Sequence, residues 1–186
     1  LDTSRGLGDV YKRQNKYESV HEELLEVGTK LLSSERLTEI SLNSISEYTN
    51  ISKTTIYEHF NSSFNVFLSE VILHVWKKIR KIYYGKTNED PISNILLIFR
   101  TWHEFNFENL LLARNLYASY ILFVDTEYFP ITNVLTDIED ELSKLNFNAE
   151  DTKEIIRIFY ISVDEILGNP DVRNIDNVMK LSLIHI

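Results

Sequence analysis

The stretch "YESVHEELLEVGTKLLSSE", residues 17 to 35, repeats its apolar residues with the period of an α-helix. Val20, Leu24, Val27, Gly28 and Leu31 fall on one face, and the other face is acidic. Similar periodicity recurs along the chain, while five glycines and three prolines in 186 residues supply few of the turns that an all-β fold needs. An all-α protein is expected. A hydrophobic content of 44% is enough for one core, or for two small cores sharing an interface.

Several chemistries are excluded by what the chain lacks. It has no cysteine, so disulfide staples, thiolate catalysis and thiolate zinc sites are out. No apolar run approaches the roughly 18 residues that span a bilayer, and no charged-then-apolar signal segment opens the chain, so a cytoplasmic protein is expected. "WHEF" at 102 to 105 lacks the second histidine of a zinc-protease helix, and neither a phosphate-binding glycine loop nor a nucleophile elbow is present. The histidines, at 21, 59, 74, 103 and 185, are scattered. The reading is therefore a protein without catalysis, metal or cofactor. "DVYKRQ" near the start and "LSLIHI" at the finish resemble translated sequencing-adapter read-through, so residues 1–14 and 182–186 are set aside as non-native ends. Lys12 and Arg13 are then not counted as a basic arm.

"SLNSISEYTNISKTTIYEHF", residues 41 to 60, reads as two short helices joined by a tight turn. Ser41 caps the first, whose inward residues are Leu42 and Ile45, and Asn50 suits the left-handed turn position. Ser52 caps the second. There Ile56 and Phe60 face inward with Ile51 just before them, leaving Lys53, Thr54, Tyr57 and Glu58 outside. A helix whose first turn carries only short or flexible polar side chains can bring its backbone close to a major groove. The same pattern also describes a capped, solvated helix in a domain that binds nothing.

Residues from about Tyr17 to about Leu68 resemble the DNA-binding domain of TetR-family transcriptional regulators, with the signature I-A-x-x-A-G-V-S-x-G-T-[IL]-Y-x-H-F. The matching stretch, "ISEYTNISKTTIYEHF", keeps Ile45, Ser52, Thr55, Ile56, Tyr57, His59 and Phe60 in register, with Ile51 for valine. The resemblance implies a three-helix helix-turn-helix domain over residues 15–61. Lys53, Thr54 and Thr55 would address bases or adjacent phosphates, Tyr57 and His59 the DNA backbone, and Asn43 a base edge. Ser41 and Ser52 complete the DNA-binding set at the two helix starts. Ser46 and Thr49 replace alanines of the pattern, Asn50 the turn glycine and Thr54 a second glycine, and Ser63 stands where a phosphate-clamping lysine is usual.

Charge runs against strong DNA affinity. From residue 15 to 60 the basic residues are Lys16, Lys30, Arg36 and Lys53, against Glu18, Glu22, Glu23, Glu26, Glu35, Glu39, Glu47 and Glu58, so four minus eight gives −4. Binding is expected to be weak or easily lost to salt. The later run "KKIRK", 77 to 81, lies roughly 22 Å along its helix from Ser62 at about 1.5 Å per residue, and reads as a solvated helix end.

Residues 62–181 read as a helical effector-binding and dimerisation domain. Gly85 ends one helix, and Asp90 before Pro91 opens the next. Segments 91 to 103, 105 to 124, 130 to 146 and 150 to 168 each carry helical periodicity. An aromatic cluster offers a candidate small-molecule pocket, for which Phe99, Trp102, His103, Phe107, Tyr117 and Tyr120 are the lining choice. The same residues could fill an ordinary core. The last helix is apolar nearly all round, and with its neighbour it supplies a candidate homodimer interface at Ile138, Leu142, Ile155, Phe159 and Ile166. Burial within one subunit is the alternative. The resemblance implies a dimer that sets two recognition helices on a double-stranded DNA operator, as a repressor released by a small-molecule effector. The competing expectation is a helical interaction module that keeps this fold without binding DNA.

Overall fold

The computed structural model describes residues 3–123, 132–145 and 147–168, and among these every regular element is helical. Helix α1 (Thr3–Ser34) leads through a 3-10 turn (Leu37–Glu39) to α2 (Leu42–Thr49) and α3 (Lys53–His59). Then follow α4 (Phe64–Tyr84), α5 (Pro91–Glu108), α6 (Leu110–Phe123), α7 (Thr132–Ser143) and α8 (Ala149–Gly168). None of the described helices is long and apolar enough to cross a membrane.

Local chemistry sets most boundaries. Ser41 caps α2 by accepting the Ser44 N–H at 3.2 Å, while the Ser44 hydroxyl accepts the Ser41 N–H at 2.9 Å. Asn50 ends α2 at φ 55°, ψ 13°, the left-handed conformation that asparagine tolerates. Asp90 accepts the N–H groups of Ile92 and Ser93 at 3.3 Å, with Pro91 as the first helical residue. A further bond from the Ser93 hydroxyl holds the Asp90 carboxyl below its usual range. The break expected near residue 104 falls instead at Asn109, because nothing at Glu104 interrupts the helical bonds. At Asn109 both the backbone N–H and the side-chain amide donate to the Phe105 carbonyl, at 2.9 and 3.0 Å, which stops α5.

Helix α4 packs against both α1 and α5, and α5 in turn packs against α6, α7 and α8. Leu24 and Leu31 of α1, Ile45 of α2, Ile56 of α3 and Phe67 of α4 belong to one apolar cluster that continues without interruption to Phe99, Ile138 and Phe159. Gly28 lies where α1 meets α4. A Cβ there would sit 2.5 Å from Val71 Cγ2 and 2.6 Å from Phe67 Cζ, so only a residue without a side chain allows the approach.

Two polar seams join elements far apart in sequence. Asn115 of α6 donates to the carbonyls of Leu32 and Glu35 at 2.7 Å and accepts the Leu37 N–H at 3.2 Å, closing the C-terminus of α1. Buried Asp137 of α7 accepts from Arg80 at 2.5 Å, from the Tyr84 hydroxyl at 2.8 Å and from the Tyr83 hydroxyl. Burial, then the bond to Asp137, pushes the Tyr83 phenol well above its ordinary range. Burial works against the Arg80 charge, but the Asp137 carboxylate outweighs it and holds the guanidinium firmly protonated. The "KKIRK" run is thus no mere solvated end: Arg80 is tied to α7 and Lys78 to Glu26 of α1.

Candidate nucleic-acid interface

Helices α2 and α3 meet across the Asn50 turn, with Leu42, Ile45, Ile56 and Phe60 buried beneath. The face left outside carries Ser41, Asn43, Ser52, Lys53, Thr54 and Tyr57, all exposed, with Thr55 half-buried. Ser52 caps α3 by accepting the Thr55 N–H at 3.2 Å, and the Ser52 and Thr55 hydroxyls lie 2.9 Å apart. Seven of the eight predicted residues are therefore exposed or half-buried on the two-helix unit. Lys53 forms no ion pair among the described residues, and Glu47 and Glu58 are exposed on the same two helices. Tyr48 was not among the predicted residues, yet it is 54% exposed near the end of α2.

His59 is the exception. It is only 7% exposed, with the Tyr17 ring stacked on it at 3.9 Å between centroids and the His21 Nδ1 at 3.3 Å from its own Nδ1. A ring held in this way packs α3 against α1 and does not stand out to meet a phosphate. Its position three residues after Ile56 and one before Phe60, in phase with the buried face, is the sequence signal for this. Burial first, and the neighbouring His21 second, hold His59 below the usual histidine range, against the opposing pull of Glu58.

Ser63, where a lysine was noted as missing, caps α4 by accepting the Val66 N–H at 3.4 Å. Farther along α4, His74 lies between Glu22 and Glu26 of α1, at 3.5 and 3.2 Å. Lys78 holds Glu26 as well, and its hydrogen bond keeps the Glu26 carboxyl below its usual range.

The six predicted effector residues separate. Phe99, Trp102 and His103 are buried on α5, Tyr117 is half-buried, and Phe107 is 41% exposed. The Tyr120 side chain lies outside the described part of the structure. His103 donates through Nδ1 to the Phe99 carbonyl at 2.6 Å, and burial holds the ring below its usual range. Five buried atoms have no hydrogen-bond partner among the described residues: Arg80 Nε beside the Asp137 seam, and Trp76 Nε1, Trp102 Nε1, His103 Nε2 and Asn106 Nδ2 on α4 and α5. The two indoles lie 4.6 Å apart. A separate cleft of about 420 Å³ opens beside the second seam, lined by Tyr83, Tyr84, Ile98, Asp137, Asp140 and Lys144 among others, and it contains none of the six.

The predicted dimer residues face inward. Ile138, Leu142, Ile155 and Phe159 are all buried within the single chain, Phe159 against Phe99 at 4.9 Å and His103 at 6.3 Å. Periodicity identified a buried stripe, but the surface that buries it is α5 of the same subunit. The Ile166 side chain is outside the described residues. Among the described side chains of α8, Ile161 is a large apolar residue turned outward, 50% exposed.

Compared with protein-family models, curated proteins and solved structures, the chain has no significant match.

Proposed function

We propose that this chain is a ligand-responsive, DNA-binding transcriptional regulator of the TetR type, a repressor that leaves its operator when a small-molecule effector binds. The observation that carries the reading is the exposed first turn of α3, Ser52 to Thr55, held on a capped two-helix frame with Asn43 and Tyr57 beside it. In this reading α3 enters the major groove, Lys53 and Thr54 meet base edges or flanking phosphates, and Tyr57 and Asn43 fix the approach. His59 acts behind them as a packing residue. No residue is assigned a catalytic part.

Support for an effector comes from the unpartnered polar atoms of Trp76 on α4 and of Trp102, His103 and Asn106 on α5, since buried polar groups are ordinarily satisfied. Support for coupling comes from the Asn115 seam and from α4, which touch both the N-terminal helices and the effector unit. An effector that favours one arrangement of α4 over another lowers operator affinity by the factor by which DNA lowers effector affinity. Two copies, joined through an outer face of α8 that includes Ile161, would set two α3 helices on adjacent half-sites.

The test is fluorescence anisotropy with DNA flanking the chain's own coding region, at several salt concentrations. Saturable binding that weakens linearly in log salt supports the reading. A specific observation favours a second reading, a helical interaction module: the −4 balance of residues 15–60, with Ser63 committed to a cap. Absence of binding even at low salt would favour that module.

A further inference from the structure

Three titratable groups from three helices meet behind α3. His59 Nδ1 faces His21 Nδ1 at 3.3 Å, and His21 Nε2 faces the Glu70 carboxylate of α4 at 2.8 Å. Tyr17 stacks on His59 and Phe60 packs against the His21 ring at 5.1 Å, so the pair lies in a mostly closed slot. The titratable groups facing it are Tyr17 from α1, Glu58 on α3 and Glu70 on α4.

We propose that the His21–His59 contact is a proton-operated joint that seats α3 on α1 and α4 and releases it when the pair takes up its second proton. One hydrogen fits between two facing ring nitrogens. With both rings neutral, His21 gives its Nε2–H to Glu70 and accepts the His59 Nδ1–H. One added proton is accommodated: His21 then carries both hydrogens, and His59 changes tautomer and accepts. A second proton puts N–H against N–H with no acceptor between them, and the contact fails.

The direction with pH follows. Burial and the neighbouring His21 hold His59 below the ordinary histidine range, so the folded state resists its protonation. Its contribution to stability is present above the ordinary histidine range and is lost as pH falls through the lowered one. The consequence for DNA rests on the regulator reading, and it opposes simple electrostatics. A chain of net charge −9 becomes less repelled by phosphate on acidification and should bind DNA more tightly, whereas a released α3 binds less.

Amide hydrogen exchange in the free full-length protein, corrected for intrinsic rate, tests the joint at pH 7.5 and 5.5, with DNA affinity measured in parallel at fixed ionic strength. Protection of residues 53–60 should fall about tenfold or more, as should affinity, while α5, which holds His103, keeps its protection. His59→Phe retains a ring for the slot but has no proton to take up, and should abolish the pH dependence of protection. If that variant misfolds, His59→Asn, whose amide can donate to His21, serves instead. Equal wild-type protection at both pH values, or the same loss in the folded variant, would overturn the joint. Loss of protection without detectable DNA binding at either pH would leave the joint standing and remove the regulator reading.

Discussion

The side-chain amide of Asn115 on α6 reaches across 83 residues of sequence to the carbonyl oxygen of Leu32 on α1, at 2.7 Å. Together with its bonds to Glu35 and Leu37, it does for the end of α1 what a capping residue normally does from within a few positions.

Replacing Asn115 with leucine keeps the volume but removes three hydrogen bonds at a buried site. Two carbonyls and one N–H then lose their partner, for a cost of about 2–4 kcal/mol. A lowered urea midpoint with unchanged slope would register this, and a midpoint equal to wild type would show that water replaces the seam.

Asp137→Ala leaves the buried Tyr83 hydroxyl and the Arg80 guanidinium without their shared acceptor. Breaking such a cluster by removing one member costs roughly 3 kcal/mol or more. Asp137→Asn, which keeps an acceptor, should lose less. Thermal unfolding of the two variants ranks them, and the opposite ranking would mean that the carboxylate charge is a burden in this site.

Ser63→Lys brings two opposing effects. Loss of the cap on Val66 should destabilise α4 by about 1 kcal/mol, while a new phosphate contact should tighten DNA binding and steepen its log-salt slope by about one unit. Denaturation and anisotropy separate the two, and an unchanged slope would show that this position does not reach DNA.

Phe159→Glu and Ile161→Glu distinguish the two sides of α8. The first inserts an unpaired charge beside Phe99 and should unfold the subunit, with loss of several kcal/mol. The second alters an exposed residue, so helicity should survive by circular dichroism while sedimentation velocity reports a monomer. An Ile161→Glu protein that sediments as a dimer would move the interface off this face.

What could be read from the residues was what neighbours in sequence decide. Ser41, Asn50, Ser52 and Asp90 act within three or four positions, and the inward turn of Ile56 and Phe60 needs only the helical period. Periodicity also found the stripe of Ile138, Leu142, Ile155 and Phe159. It could not say whether α5 or a second copy covers that stripe, because both present the same apolar surface. His59 was misassigned by following a motif where its phase with Ile56 marked it as buried. The Asn115 and Asp137 seams had no local signal at all, since an asparagine or an aspartate in mid-helix reads as solvated until the chain brings its partners to it.

The missing side chain at Gly28 decides how α1 and α4 can move. With Phe67 and Val71 already against its backbone, sliding α1 along α4 by a turn would bring Leu24 or Leu31, on the same face as Gly28, to a crossing with no room for a side chain. Tilting about the crossing point needs no such passage. Gly28 therefore leaves α1 and α4 able to pivot at their crossing but not to slide, and a methyl group at that one position would prise the two helices apart.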